Sequence, residues 1–241
     1  MPELPEVETI KRQLARKIIG KQLKGQKIIS VRRRGKLLII DFQNGSSLVF
    51  HLKMTGQLIL NGARASHTRR IFRLSDGSQL VFNDVRKFGW WKRLKKAEKE
   101  LGALGPEPLE LNLKSFKDIL GRHPRSRIKS LLMDQKAIAG IGNIYSDEIL
   151  YKARVRPLRW IESLKRDEFL RIFESMKKIL KAAIRHHGSS ARNYRDLFGK
   201  EGGYLKYHKV YQKKECARCG SKLKRVKLNG RSAHYCENCQ I

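Results

Sequence analysis

Four cysteines, all within residues 216–241 of a 241-residue chain, restrict the fold more than any other feature of the sequence. Cys216-x2-Cys219 and Cys236-x2-Cys239, separated by sixteen residues, have the spacing of a tetrahedral four-thiolate site, and zinc is the expected ion. The protein supplies all four ligands, so the metal is expected to be structural and to organise a β-hairpin too small to fold alone. A rubredoxin-type iron site is the minor alternative for the same ligands. Clustered thiols in a chain without a secretory start argue for metal over disulfides.

Charge narrows the partner. Fifty-four Lys+Arg against 22 Asp+Glu give a formal net charge of +32, spread along the whole chain. A folded surface that positive repels itself and calls for a polyanion, nucleic acid before an anionic membrane or a ribosome. At 40% hydrophobic residues, with no apolar run of membrane-spanning length, the sequence implies a cytoplasmic, nucleoid-associated protein without a membrane partner, and a monomer is expected.

Periodicity divides the chain. Val7, Ile10, Leu14, Ile18 and Ile19 recur at helical spacing over residues 3 to about 22, with Glu3, Glu6 and Glu8 expected in the first turn. Short β-rich runs follow at 28–31, 37–42, 48–54, 57–60, 71–74 and 79–82, with turns at Asn44-Gly45 and Asp76-Gly77, as in a β-sandwich or barrel-like lobe. Residues 114–186 have a helical pattern, broken by Gly140-Ile141-Gly142-Asn143. The fold class expected is α+β. The boundaries drawn are an N-terminal lobe over 1–105, a Gly/Pro-rich linker over 106–118, a helical lobe over 119–210, and the four-cysteine finger over 211–241.

Several motifs carry chemistry. Pro2, once Met1 is removed, offers a secondary amine. At the positive pole of a helix, an α-amine with a reference pKa of roughly 8 is pushed towards its neutral, nucleophilic form. Glu3 beside it is a candidate proton donor. Arg32-Arg33-Arg34-Gly35-Lys36 precedes an apolar strand and reads either as a solvated face or as a phosphate contact. His51-Leu52-Lys53-Met54-Thr55-Gly56 and Asp84-Val85-Arg86-Lys87-Phe88-Gly89 each set an apolar side chain beside a cation. Residues 187–207 are polar and rich in glycine.

The opening Pro-Glu-Leu-Pro-Glu-Val-Glu-Thr, the two loop motifs just quoted, Leu104-Gly-Pro-Glu-Pro-Leu109, the run from Leu131 to Pro157 and the cysteine finger together resemble the formamidopyrimidine-DNA glycosylase (Fpg/Nei) family, in order and over nearly the whole chain. The resemblance implies a bifunctional glycosylase and abasic-site lyase that removes oxidised purines from double-stranded DNA, with Pro2 as nucleophile, Glu3 as acid and Lys36 assisting. It also implies that Met54, Arg86 and Phe88 replace an everted base, and that His51, Lys136, Asn143 and Arg231 contact DNA. Cys216, Cys219, Cys236 and Cys239 would hold one structural Zn2+, and the duplex would lie between the lobes. Residues 187–207 resemble the loop that caps an everted 8-oxoguanine. Only 32 residues separate Glu3 from Lys36, fewer than is usual in the family, which implies a trimmed strand or loop. A pyrimidine-lesion enzyme of the Nei type, or a zinc-ribbon protein that binds nucleic acid without cutting it, are the alternatives.

Overall fold

The computed structural model describes residues 1–95, 101–190 and 193–241. Two compact units emerge, one of residues 1–103 with 183–205, the other of 104–182 with 206–241. Residues 183–205, which the sequence-drawn boundaries group with the helices, pack by contact in the first unit.

The first unit begins with α1 (Leu4–Ile18), whose residues Val7, Ile10, Leu14 and Ile18 are fully buried. The helix stops where the backbone turns extended at Ile19, which is half exposed and does not join the apolar stripe expected of it. Eight strands follow: β1 (Gln22–Leu23), β2 (Gln26–Arg34), β3 (Leu37–Phe42), β4 (Ser47–His51), β5 (Gly56–Leu60), β6 (Thr68–Arg73), β7 (Gln79–Asp84) and β8 (Trp90–Leu94). They form two antiparallel sheets, ordered β1-β2-β3-β4-β8 and β5-β7-β6. Leu38, Ile40 and Phe50 from one sheet and Leu58, Leu80 and Phe82 from the other share one core with α1. Sequence reading missed β8, because an edge strand with two half-exposed tryptophans has no alternating pattern. Tyr194 and Leu197 complete this core, so the glycine-rich segment is packed here and is not a plain surface loop.

The second unit contains α2 (Leu113–Gly121), α3 (Ile128–Met133), α4 (Asn143–Ala153), α5 (Arg166–Arg185, whose last three residues fall in the first unit) and the hairpin β9 (Lys224–Leu228) with β10 (Arg231–Tyr235). The broad helical span expected over 114–186 is thus several short helices. The stretch read as one periodic segment to Lys136 ends at Met133, with Asp134 extended. Gln135 builds the turn after it: its amide NH2 donates to the Met133 and Ile141 carbonyls, and its amide oxygen accepts from the Gly140 N–H. Gly105 approaches so closely that a Cβ would lie 2.5 Å from the Ala137 backbone, so only glycine fits.

One buried ion pair ties the hairpin to these helices. Lys129 on α3 (1% exposed) places Nζ 2.5 Å from Asp147 Oδ1 on α4 (0% exposed) and donates to the Ser232 carbonyl of β10 at 2.6 Å. The other Asp147 oxygen accepts from the His234 N–H at 3.2 Å and lies 2.8 Å from its Nδ1. Truncating one partner strands a buried charge, so Lys129→Ala is expected to cost about 3–5 kcal/mol in the denaturant unfolding of this unit. A loss under about 1 kcal/mol would show the pair to be dispensable.

Among the described residues, no helix is long and apolar enough to cross a membrane.

Candidate functional site

Pro2 and Glu3 are buried directly ahead of α1, while Met1 is exposed. Glu3 is the N-cap, Glu6 the third helical residue, and Glu8 falls in the next turn; of the three acids expected in the first turn, only Glu6 is there. Glu6 is 1% exposed. Its Oε2 accepts from the Glu3 N–H at 2.8 Å and its Oε1 from the Ser189 N–H at 2.7 Å. A Cβ on Gly188 would sit 2.7 Å from Glu6 Oε1, and this residue also has φ +79°, so glycine is required for the approach. One carboxylate therefore fixes the Pro2-Glu3 backbone and joins it to the segment 188–205. The Glu3-x-x-Glu6 spacing of a capping box expresses only the local bond to the Glu3 N–H, and the bond to Ser189 leaves no mark in the spacing.

The basic run divides. Arg33 pairs with Glu8 at 3.1 Å and donates to the Gly35 carbonyl, while Arg32 pairs with Asp41 at 2.7 Å, so both are committed within the fold. Lys36 sits in the two-residue turn joining β2 to β3, with Gly35 at φ +55°, and is 7% exposed. The β2–β3 connection is thus as short as a hairpin permits.

His51 closes β4 opposite Leu37, the residue after Lys36. Burial first, then the charges of Lys53 and Lys36, lower its pKa to about 4. Its Nδ1 accepts the Lys53 N–H at 3.0 Å, which leaves the ring proton on Nε2. A His held neutral in the fold, with a usual value near 6.5 when unfolded, contributes stability above pH 6.5 that is lost as pH falls towards 4. Replacing it by Gln is expected to remove roughly 2–3 kcal/mol of that acid sensitivity, read as a flatter dependence of Tm on pH between 6.5 and 4. An unchanged dependence would contradict the lowered value.

The two loop motifs converge on Asp84, which is 0% exposed. Thr55 Oγ1 donates to Asp84 Oδ1, and the Gly89 N–H donates to Oδ2 at 2.6 Å. Thr55 Oγ1 also accepts the Arg86 N–H at 3.1 Å. The turn carrying half-buried Met54 and the loop carrying Arg86 and Phe88 therefore share one anchor. Phe88 is 56% exposed with the Arg86 guanidinium 4.8 Å from its ring centroid. A large apolar ring held out in water by a rigid loop is not core, and it is available to a partner. Asp84 lies inside the second loop motif, and nothing in its spacing marks this anchoring role. Asp84→Ala leaves the Thr55 hydroxyl and the Gly89 N–H without their acceptor, at an expected cost of about 2–4 kcal/mol in urea unfolding. Faster amide exchange confined to residues 85–89 would accompany it.

In the second unit, Asn143 opens α4 behind Gly142, its Nδ2 3.2 Å from Ser232 Oγ. Lys136 is exposed on the turn before it. Arg231 is exposed beside the Asn229-Gly230 turn, whose φ values of +47° and +74° suit a two-residue hairpin loop. Two cations and an amide thus come from the turn, the helix start and the hairpin, elements that the Lys129–Asp147 pair ties together.

The four cysteine Sγ atoms lie within 4.8 Å of one another, with Cys216–Cys239 at 3.8 Å and Cys219–Cys236 at 3.6 Å. Thiolates about 2.3 Å from a tetrahedral zinc are about 3.8 Å apart, so the donor set fits that ion. Tyr151 Oη is 3.1 Å from Cys216 Sγ, a further contact between α4 and the finger.

Three family models match successive parts of the chain: the formamidopyrimidine-DNA glycosylase N-terminal domain over residues 18–91, the formamidopyrimidine-DNA glycosylase H2TH domain over 104–195, and the zinc finger found in FPG and IleRS over 213–241. Formamidopyrimidine-DNA glycosylase of Carboxydothermus hydrogenoformans is 40% identical over 270 aligned residues that cover all of both chains. The chain belongs to the formamidopyrimidine-DNA glycosylase family. The Listeria monocytogenes enzyme of that name is 39% identical over 273 residues, again covering all of both chains. Among solved structures, the MutM (Fpg) protein of Thermus thermophilus superposes with a TM-score of 0.92 at 35% identity, covering 99% of this chain and 98% of that one. Lactococcus lactis Fpg, solved in complex with DNA containing an abasic site, gives 0.89 at 31% identity and 99% of each. A MutM solved with DNA containing carbocyclic 8-oxo-G gives 0.88 at 32% identity and 99% of each. The family's zinc finger and the cysteine geometry agree on one structural Zn2+.

Proposed function

We propose that this chain excises oxidised purines from double-stranded DNA and then cuts the strand at the abasic sugar, acting as a single chain with Pro2 as nucleophile. The observation that supports it most is the Glu6 carboxylate, which spends both oxygens on fixing the backbone at Glu3 and Ser189 and so holds Pro2 at the positive end of α1.

With Met1 removed, the Pro2 lone pair attacks C1′ of the damaged nucleotide and the bond from C1′ to the base breaks, the electron pair leaving with the base, which takes up the proton shed by the Pro2 nitrogen. Glu3 protonates the sugar ring oxygen, the ring opens, and an iminium joins Pro2 to C1′. The iminium acidifies C2′, and two successive eliminations release the phosphates on either side. An everted base needs its place in the stack filled. Met54, Arg86 and Phe88, sharing the Asp84 anchor, suit that task, and Lys36, His51, Lys136, Asn143 and Arg231 supply donors and cations for phosphates.

The substrate class is tested with duplexes carrying 8-oxoguanine or thymine glycol. Excision of 8-oxoguanine should be faster by at least about tenfold, or 1.4 kcal/mol. A preference for thymine glycol would assign the chain to pyrimidine lesions.

A further inference from the structure

A cavity of about 170 Å³ opens in the first unit at the mouth between the two sheets. Its floor is apolar: Phe42, Leu48, Phe72 and the ring of half-buried Trp91. Phe72 meets Trp91 edge-on at 5.9 Å, and Phe82 braces Trp91 from behind at 5.4 Å, so the wall is rigid. Its rim is cationic, made by Lys24, Arg70 and Arg93. Lys24 is presented by the two-residue β1–β2 turn, with φ +51° at Lys24 and +73° at Gly25. Arg93 lies 5.0 Å from the Phe42 ring centroid, and its Nε and Nη2 donate to Ser46 Oγ at 3.3 and 3.2 Å, which sets the guanidinium along the edge of the opening.

No carboxylate among the described residues pairs with these three cations. The nearby acids are used elsewhere, Asp41 by Arg32 and Asp76 by Lys21. The cavity is also remote from Pro2 along the fold, since the chain traverses all 15 residues of α1, about 22 Å, before it reaches Leu23 at the cavity wall.

An apolar cavity of about 150 Å³ holds one benzene. Given that size, the aromatic floor and the cationic rim, with which no carboxylate among the described residues pairs, we infer that this cavity is a binding site for a single apolar ring carrying an anionic group. The ring replaces water against Phe72 and Trp91, and the anion is held by Arg70, Arg93 and Lys24 through charge-assisted hydrogen bonds. The ligand is a free aromatic carboxylate or the phenylalanine of an acidic peptide segment, which share this chemistry.

The test uses the full chain and phenylacetate, followed by NMR of the tryptophan indole N–H groups, with Trp91 assigned from Trp91→Phe. The Trp91 signal should shift saturably with half-saturation near about 1 mM, as expected for ten heavy atoms, while Trp90 and Trp160 stay in place. Phenylacetamide and acetate should each need at least about tenfold more, since each lacks one half of the recognition. Arg70→Gln/Arg93→Gln should weaken phenylacetate about fivefold with an unchanged thermal transition, and Arg70→Gln alone serves if the pair does not fold. An acidic peptide with one phenylalanine, compared with its alanine counterpart, identifies the source: tighter binding than phenylacetate at the same signal points to a protein partner, weaker binding to a small molecule. A Trp91 signal that does not move, or that moves equally with phenylacetamide or acetate, overturns the inference.

Discussion

A preparation that retains Met1, or carries any residue ahead of Pro2, is expected to bind abasic-site duplex DNA with unchanged affinity and to cut it at least about 10³-fold more slowly than the processed chain. The reason is chemical. An acylated Pro2 nitrogen is a tertiary amide whose lone pair is delocalised into the carbonyl, so it cannot add to C1′. The contacts proposed for binding are made elsewhere, by His51, Lys136, Asn143 and Arg231, and the buried start of the chain is held by Glu6 through the Glu3 N–H, which an added residue does not remove. Binding and chemistry should therefore separate cleanly. A fall in affinity as large as the fall in rate would mean that the terminus contributes to grip and not to bond making.

Zinc removal is the second large effect expected. β9 and β10 are five residues each, and a two-stranded hairpin of that size is marginal in water without its metal. Losing it does more than free Arg231. Ser232 and His234 on β10 supply the partners of Lys129 and Asp147, so the buried pair becomes half-satisfied and the turn carrying Lys136 and Asn143 loses its support. Chelation, or Cys236→Ser, is expected to lower affinity for duplex DNA by about 100-fold or more, equivalent to about 2.7 kcal/mol. The core made by α1 and the two sheets contains no residue of the finger, and its unfolding transition should remain. Full DNA affinity in the chelated protein would contradict this coupling.

Much of this was legible in the residues. Helical apolar spacing marks α1 because it presents one face to a core, the continuous apolar run Leu37–Ile40 marks β3 because Leu38 and Ile40 face one core and Ile39 another, and the cysteine spacing marks the finger because a tetrahedral ion demands it. Other features were not legible, for reasons that can be named. α4 is buried along Ile144–Tyr151, so it has no polar face, and Asp147 and Glu148 within it look like solvent-facing acids. In fact Glu148 accepts from the N–H groups of Lys209, Val210 and Tyr211, and burial raises its pKa despite those bonds. Lys129 likewise has the composition of a surface residue, and only its three-dimensional partners reveal its role. The arginine run was ambiguous because partners distant in sequence decided it: Glu8 from α1 takes Arg33, and Asp41 from β3 takes Arg32. Asp84 and Glu6 lay inside recognisable motifs, yet their work is to position neighbours, which spacing alone does not express.

The most direct measurement is borohydride reduction of the protein mixed with abasic-site duplex DNA, followed by proteolysis and mass analysis of the cross-linked peptide. One adduct is expected, on a peptide that begins at Pro2 with the sugar remnant on its nitrogen. An adduct on a lysine such as Lys36, with Pro2 unmodified, would contradict it.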